Sequence, residues 1–208
     1  MRKFFLCFSL FVLLSCNQKK QNIDFVELQT INSNIVLDIR YATNNNFLNK
    51  PVYPSSRCFT LKIVAQKLDS IQTELENTGL GLKIFDGYRP LSVQKMMWEI
   101  LPDDKYVANP ANGSRHNRGA AVDVTLVDSN GVELQMPTDF DEFTEKASQD
   151  YMNLSNKVIK NRAILKTIMV KYGFTPIKSE WWHYDLKNYI DYPVVDYSFE
   201  EIDELNNQ

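Results

Sequence analysis

Apolar positions along the chain fall into distinct periods, and those periods predict the elements. From Thr60 to Asn77 the apolar residues Leu61, Val64, Ala65, Leu68, Ile71 and Leu75 recur at helical spacing, and Gly79 follows as a stop. A second helix is predicted over Leu91–Leu101, with Val93, Met96, Met97 and Ile100 inward, and a third over Ser155–Tyr172, closed by Gly173. Between them the pattern shortens. Ile35–Arg40 alternates as a strand does, Leu82–Phe85 is a short apolar run, and Gly119–Val127 is apolar and β-branched, as in a central strand. Asp128-Ser129-Asn130-Gly131 reads as a hairpin turn, with Val132–Leu134 returning. Phe174–Tyr184 suits a strand pair or hairpin, and Asn44–Pro51 is a loop by composition. The order of elements predicts an α+β fold: a small antiparallel sheet with helices packed on one side.

One apolar run stands outside this scheme. Phe4–Leu14 follows Arg2 and Lys3 and is too short to span a bilayer comfortably as a mature helix. It ends in Leu13-Leu14-Ser15-Cys16, which resembles the lipobox of bacterial lipoproteins. That resemblance implies cleavage before Cys16, lipidation of Cys16, and an exported protein held to a bacterial membrane by acyl chains alone. The alternative is an ordinary secretory signal with an incidental Cys16. The expected organisation is a signal peptide over 1–15, a polar tether over 16–24 and one catalytic domain over 25–208. The stretch Asp191–Gln208 receives no role.

Composition narrows the classes. The whole chain carries a net charge of −3; without residues 1–15 it has 21 cations against 26 acids, about −5. No basic stripe is present, so nucleic acid is not an expected partner. Of three cysteines, Cys7 lies in the leader and Cys16 would carry lipid, which leaves Cys58 with no partner for a disulfide. Cys58 reads as a small buried apolar residue; its flank has no second cysteine or histidine to favour the rival role of metal ligand. Met96 and Met97 read as core filler.

The chemistry concentrates around the chain's two histidines. His116 sits in Ser114-Arg115-His116-Asn117-Arg118-Gly119, seven residues before Asp123; His183 follows Glu180-Trp181-Trp182. Catalytic zinc commonly takes three N/O ligands and keeps one position open, with a nearby carboxylate as base. An aspartate inside an apolar strand needs a partner, either a cation or a hydrogen-bond network. Gly119 lets the chain turn so that a loop histidine and a strand aspartate converge. On an ideal strand, residues three apart face opposite ways, so Glu180 and His183 share a site only if the chain bulges or turns between them. Trp181 and Trp182 suit either a pocket wall or the core. Arg89, in Asp86-Gly87-Tyr88-Arg89-Pro90, suits either an oxyanion stabiliser oriented by Asp86 or a surface ion pair.

Ser114-x-His116-x6-Asp123, Glu180-Trp181-Trp182-His183-Tyr184 and Asp86-Gly87-Tyr88-Arg89-Pro90 together resemble the VanX-type D-alanyl-D-alanine dipeptidases. Arg40-Tyr41-Ala42-Thr43, Asn46-Phe47 and Phe140-Asp141-Glu142-Phe143 extend the likeness over Asp38–Tyr184 in family order. The Ser-x-His-x6-Asp pattern alone also occurs in related D,D-carboxypeptidases and hedgehog-like domains. The resemblance implies one Zn2+ held by His116, Asp123 and His183, Glu180 as base, Arg89 as transition-state stabiliser, and substrate contacts near Tyr41, Ser114 and Asp141. It implies a small D-amino-acid dipeptide as substrate, in cell-wall peptide metabolism. The rivals are a zinc D,D-carboxypeptidase or endopeptidase acting on peptidoglycan peptides, and a non-catalytic zinc-binding module. The lipobox departs from cytoplasmic family members, and Ala108–Gly113 is short where some members carry a longer segment. A pocket closed by Trp181 or Trp182 would reject longer peptides by size.

Overall fold

A computed structural model describes residues 23–207. The leader, Cys16 and most of the predicted tether therefore lie outside the described residues. Among those described, no helix is long and apolar enough to cross a membrane.

The chain runs through β1 (Phe25–Glu27), α1 (Leu28–Ile31), β2 (Val36–Leu37), β3 (Phe59–Leu61), α2 (Lys62–Glu76), β4 (Leu80–Asp86), α3 (Leu91–Ile100), β5 (Ala121–Asp128), α4 (Asn156–Lys171), β6 (Phe174–Pro176), β7 (His183–Leu186) and α5 (Phe199–Asn206). The class is α+β, as the pattern predicts. A five-stranded sheet has the order β2-β4-β5-β7-β6, and β1 pairs with β3 in a second, two-stranded sheet. All pairs are antiparallel except β2 with β4, which run parallel. Helix α2 lies against β4, and α4 against β5 and β6.

Local rules account for most boundaries. In α2 the stripe Val64, Ala65, Leu68, Ile71 and Leu75 is buried, and Gln72 on the same face accepts a hydrogen bond from the Leu82 amide at 2.8 Å, tying helix to sheet. Residues 60 and 61, expected in the helix, belong to β3: Leu61 N–H donates to Gly119 C=O, and Phe59 C=O accepts from Tyr88 N–H. Gly79, at φ +73°, ends the segment in the left-handed region. Ser155 caps α4, its side chain accepting from the Val158 amide.

Three expectations shift. Strand β2 is only two residues long, because Arg40–Ala42 closes into a 3-10 turn that carries Tyr41 inward. Helix α3 buries Val93, Gln94 and Met97, while Met96 and Ile100 are 37% and 48% exposed. The helix is rotated so that Gln94 can accept from Arg89 and donate to Ala108 C=O. The tail folds back: Ser198 and Glu201 form a reciprocal capping box at the start of α5, and Phe199 packs on Phe59 and Tyr53 at ring distances of 5.0 and 5.4 Å. Cys58 is buried in this core, as expected.

Candidate metal centre and active site

Sheet register assembles the centre. Asp123 on β5 stands directly opposite His183 at the start of β7, so both side chains leave the same face. His116 begins a 3-10 turn, His116–Arg118, that ends at Gly119 with φ +64°. A Cβ on Gly119 would lie 2.3 Å from Phe25 Cε1, so the turn that delivers His116 requires glycine twice over, by conformation and by contact. His116, Asp123 and His183 are all buried and form a group able to hold a metal ion.

The spacing fits zinc. His116 Nε2 lies 3.2 Å from His183 Nδ1 and 3.5 Å from Asp123 Oδ2, and His183 Nδ1 lies 3.0 Å from Asp123 Oδ1. Tetrahedral ligands at zinc–nitrogen and zinc–oxygen bond lengths sit about 3.3 Å apart. The second ring nitrogens are already engaged. His116 Nδ1 is 2.8 Å from Gly87 C=O, which can only accept, and His183 Nε2 is 2.8 Å from Asp185. Those partners fix the protons on the outer nitrogens, so His116 Nε2 and His183 Nδ1 turn lone pairs toward one another and toward a carboxylate. Three converging electron-pair donors call for a cation. In the metal-free chain a proton on His183 meets that need: burial opposes the charge, but the bonds to Asp123 and Asp185 push the imidazole up to about 10. Asp123 sits well below the usual carboxylate range; its burial opposes this, and the two imidazoles outweigh the burial. Asp185 did not emerge from the sequence pattern; its place two residues after His183 on one strand face is the signal that could have found it.

Glu180 reaches the same cavity from the loop between β6 and β7. The turn required between Glu180 and His183 is present: residues 177–182 leave the strand pattern, and Trp182 C=O accepts from Val124 N–H at 3.0 Å. Gln149 clamps this loop. Its amide N–H donates to Lys178 C=O at 2.9 Å, and its side chain donates to the carbonyls of Glu180 and Trp181 at 3.2 and 3.3 Å. No sequence signal marked Gln149. Burial, aided by Asp123, pushes the Glu180 carboxyl up to about 7, although the histidines and Arg89 pull the other way. A base with that value is matched to neutral operation.

Arg89 is buried, which removes the surface-ion-pair reading. Its Nη2 and Nε donate to Asp86 Oδ2 at 2.8 and 3.2 Å, and Nη1 donates to Gln94 at 2.8 Å. Burial opposes its charge and Asp86 more than restores it, so the guanidinium stays cationic. Arg89 lines the cavity, with the Tyr41 ring facing its guanidinium at 5.0 Å.

The cavity holds about 270 Å3, and Tyr41, Arg89, Ser114, Asp141, Glu180 and the three metal-binding residues all line it. Tyr41 OH donates to Asp141 Oδ1 at 3.3 Å, while Asp141 Oδ2 is buried with no hydrogen-bond partner. Burial, then Asp123, drives the Asp141 carboxyl well above the usual range. Ser114 Oγ accepts from the His116 amide at 3.2 Å, shaping the turn from the cavity side. Trp182 lines the cavity; Trp181 does not, and its indole N–H donates to Thr138 at 2.9 Å. Both tryptophans are almost fully buried, at 0% and 1% exposure, so Trp182 is a fixed part of the wall and Trp181 belongs to the core.

The profile of the D-Ala-D-Ala dipeptidase family of peptidases matches residues 21–202. The chain belongs to this family. Among curated dipeptidases of the family, the D-alanyl-D-alanine dipeptidase of Escherichia coli is 35% identical over 172 residues, covering 83% of this chain and 89% of that one. The enzyme of the same name from Enterococcus faecalis is 35% identical over 183 residues, covering 78% and 89%. A looser overlap joins the chain to a solved vancomycin-resistance D,D-dipeptidase, VanXYg, in complex with a D-Ala-D-Ala phosphinate analog. It has 20% identity and a TM-score of 0.39 over 88% of this chain and 71% of the other. Membership makes the chain a zinc metallopeptidase, and His116, Asp123 and His183 form a group that could hold the metal.

Proposed function

We propose that this protein hydrolyses D-alanyl-D-alanine to D-alanine, in bacterial cell-wall peptide metabolism. His116, Asp123 and His183 would hold zinc, which when bound would supply Lewis acidity, lowering the pKa of water and polarising a carbonyl oxygen. Glu180 takes a proton from the attacking water and delivers it to the departing amine. Arg89 offers its free N–H groups to the oxygen on which charge grows, in a buried setting where such donors are worth about 10² to 10³ in turnover. Tyr41 positions Asp141, whose unsatisfied oxygen receives the substrate ammonium.

The observation that carries the dipeptide reading is that oxygen. A buried carboxylate oxygen without a partner is costly, and it stands in the same small cavity as the metal-binding triad and Glu180. A free dipeptide carries an ammonium one residue from its scissile bond, whereas a longer wall peptide has a neutral amide there. The test is a comparison of D-Ala-D-Ala with its N-acetylated form on zinc-loaded protein. The reading expects the free dipeptide to be strongly preferred, and Asp141→Asn to erase the preference; equal cleavage of both would favour a carboxypeptidase.

Export belongs to the same proposal. The Leu13-Leu14-Ser15-Cys16 sequence supports a lipid anchor at Cys16. Palmitate labelling of the full chain, lost in Cys16→Ala, tests it; an unlabelled membrane-free protein in the wild type would reject the anchor.

A further inference from the structure

Adjoining the reaction cavity is a second, more apolar space of about 580 Å3, lined also by Thr144, Glu145, Ala147 and Lys178. Lys105, Tyr106, Phe143, Ser179 and Glu180 line both spaces. Phe143 follows Asp141, whose carboxylate is assigned to the substrate ammonium, by two residues and lines the same cavity. Its ring stacks on Tyr106, with centroids 4.7 Å apart and planes at 29°, and meets Phe47 edge-on at 5.4 Å. The three rings come from three different connections: the loop after β2, the segment after α3, and the stretch between β5 and α4. Tyr106 and Phe143 are only partly buried.

We propose that the stacked Tyr106 and Phe143 rings are the partition that restricts this enzyme to free dipeptides, and that the chamber behind them takes the residue preceding D-Ala-D-Ala when the partition is opened. The inference rests on the dipeptidase reading given above. Neither tryptophan borders the second space, and Trp181 borders neither space. The space needed by an extended substrate is present, and its lining combines apolar surface from Tyr106, Phe143 and Ala147 with the polar and charged groups of Ser148, Glu145 and Lys178. The border it shares with the reaction cavity includes a pair of rings held by face-to-face contact. The chemistry is unchanged by the extension: water adds across the same peptide bond, hydroxyl to the carbonyl carbon and hydrogen to the leaving D-alanine amine.

The experiment uses the zinc-loaded protein and two probes, D-Ala-D-Ala and L-Ala-D-Ala-D-Ala, with kcat/KM measured for each. Phe143→Ala and, separately, Tyr106→Ala should raise the ratio of tripeptide to dipeptide kcat/KM by about tenfold or more, the scale at which pocket shape discriminates. Phe143→Trp should keep the ratio at or below the wild-type value. If one alanine variant fails to fold, the other still reads the same partition, because each supplies one ring of the stack. A wild type that cleaves the dipeptide, with variants whose ratio does not rise, would overturn the partition alone. A wild type that cleaves the tripeptide as well as the dipeptide would also overturn it. A wild type that cleaves neither would take down the dipeptidase reading together with it.

Discussion

At the scale of the residue, the centre divides its labour among side chains whose removal should have separable effects. His116→Ala removes a metal donor and should abolish zinc retention, whereas Glu180→Ala should keep zinc and lose hydrolysis; metal quantification beside a dipeptide assay reads both. Asp185→Ala leaves the His183 ring free to turn and should weaken zinc affinity by about 10- to 100-fold, measured by competition with a chromogenic chelator. The acid limb of the kcat/KM profile should follow Glu180. Its carboxyl is pushed up to about 7 before metal binds, and a bound cation pulls it lower, so activity should fall as pH drops through a value at or below about 7. A Glu180→Gln variant with the same acid limb and appreciable turnover would remove the base assignment. The candidate metal group and the glutamate beside it were legible because histidine is so scarce in this chain. Asp185 and Gln149 were not, because each acts through another residue and carries no motif of its own.

At the scale of the element, the decisive pieces are irregular. Strand β4 shifts register between Ile84 and Asp86, which brings Asp86 opposite Asp123 and beside Arg89. The Glu180 loop depends on Gln149, and Gln149→Met, similar in size but without donors, should lower kcat while leaving KM and zinc content near wild type. An unchanged kcat would reduce the clamp to packing. Helix α5 is an 8-residue element that the hydrophobic pattern did not reveal, and its value lies in contacts with β3 and Tyr53. Ser198→Ala breaks its capping box and should cost about 1 kcal/mol in denaturant unfolding. The long helices α2 and α4 were readable because amphipathic periodicity is a local property. The inward face of α3 was not, because Gln94 is drawn in by an arginine from another segment.

At the scale of the whole molecule, folding and metal binding are linked. In the metal-free protein His183 has a folded value of about 10 against an ordinary value near 6.5. Its stabilising contribution is therefore complete below about pH 6.5 and is lost as pH rises toward 10. Chelated protein should show a falling Tm across that window, and zinc-loaded protein should not, because the metal needs the deprotonated ring. Parallel curves with and without chelator would contradict this. The sequence by itself determined the α+β class, the long helices, the central strand with its aspartate and the chemical membership of the site, since periodicity and rare residue types are carried by the chain directly. Only the tertiary structure decided that Arg89 is buried, that Asp141 keeps an oxygen without a partner, that Trp182 lines the cavity while Trp181 does not, and that Tyr106 meets Phe143. Those properties arise when segments far apart in the chain share one space, and burial and orientation do not exist until they do.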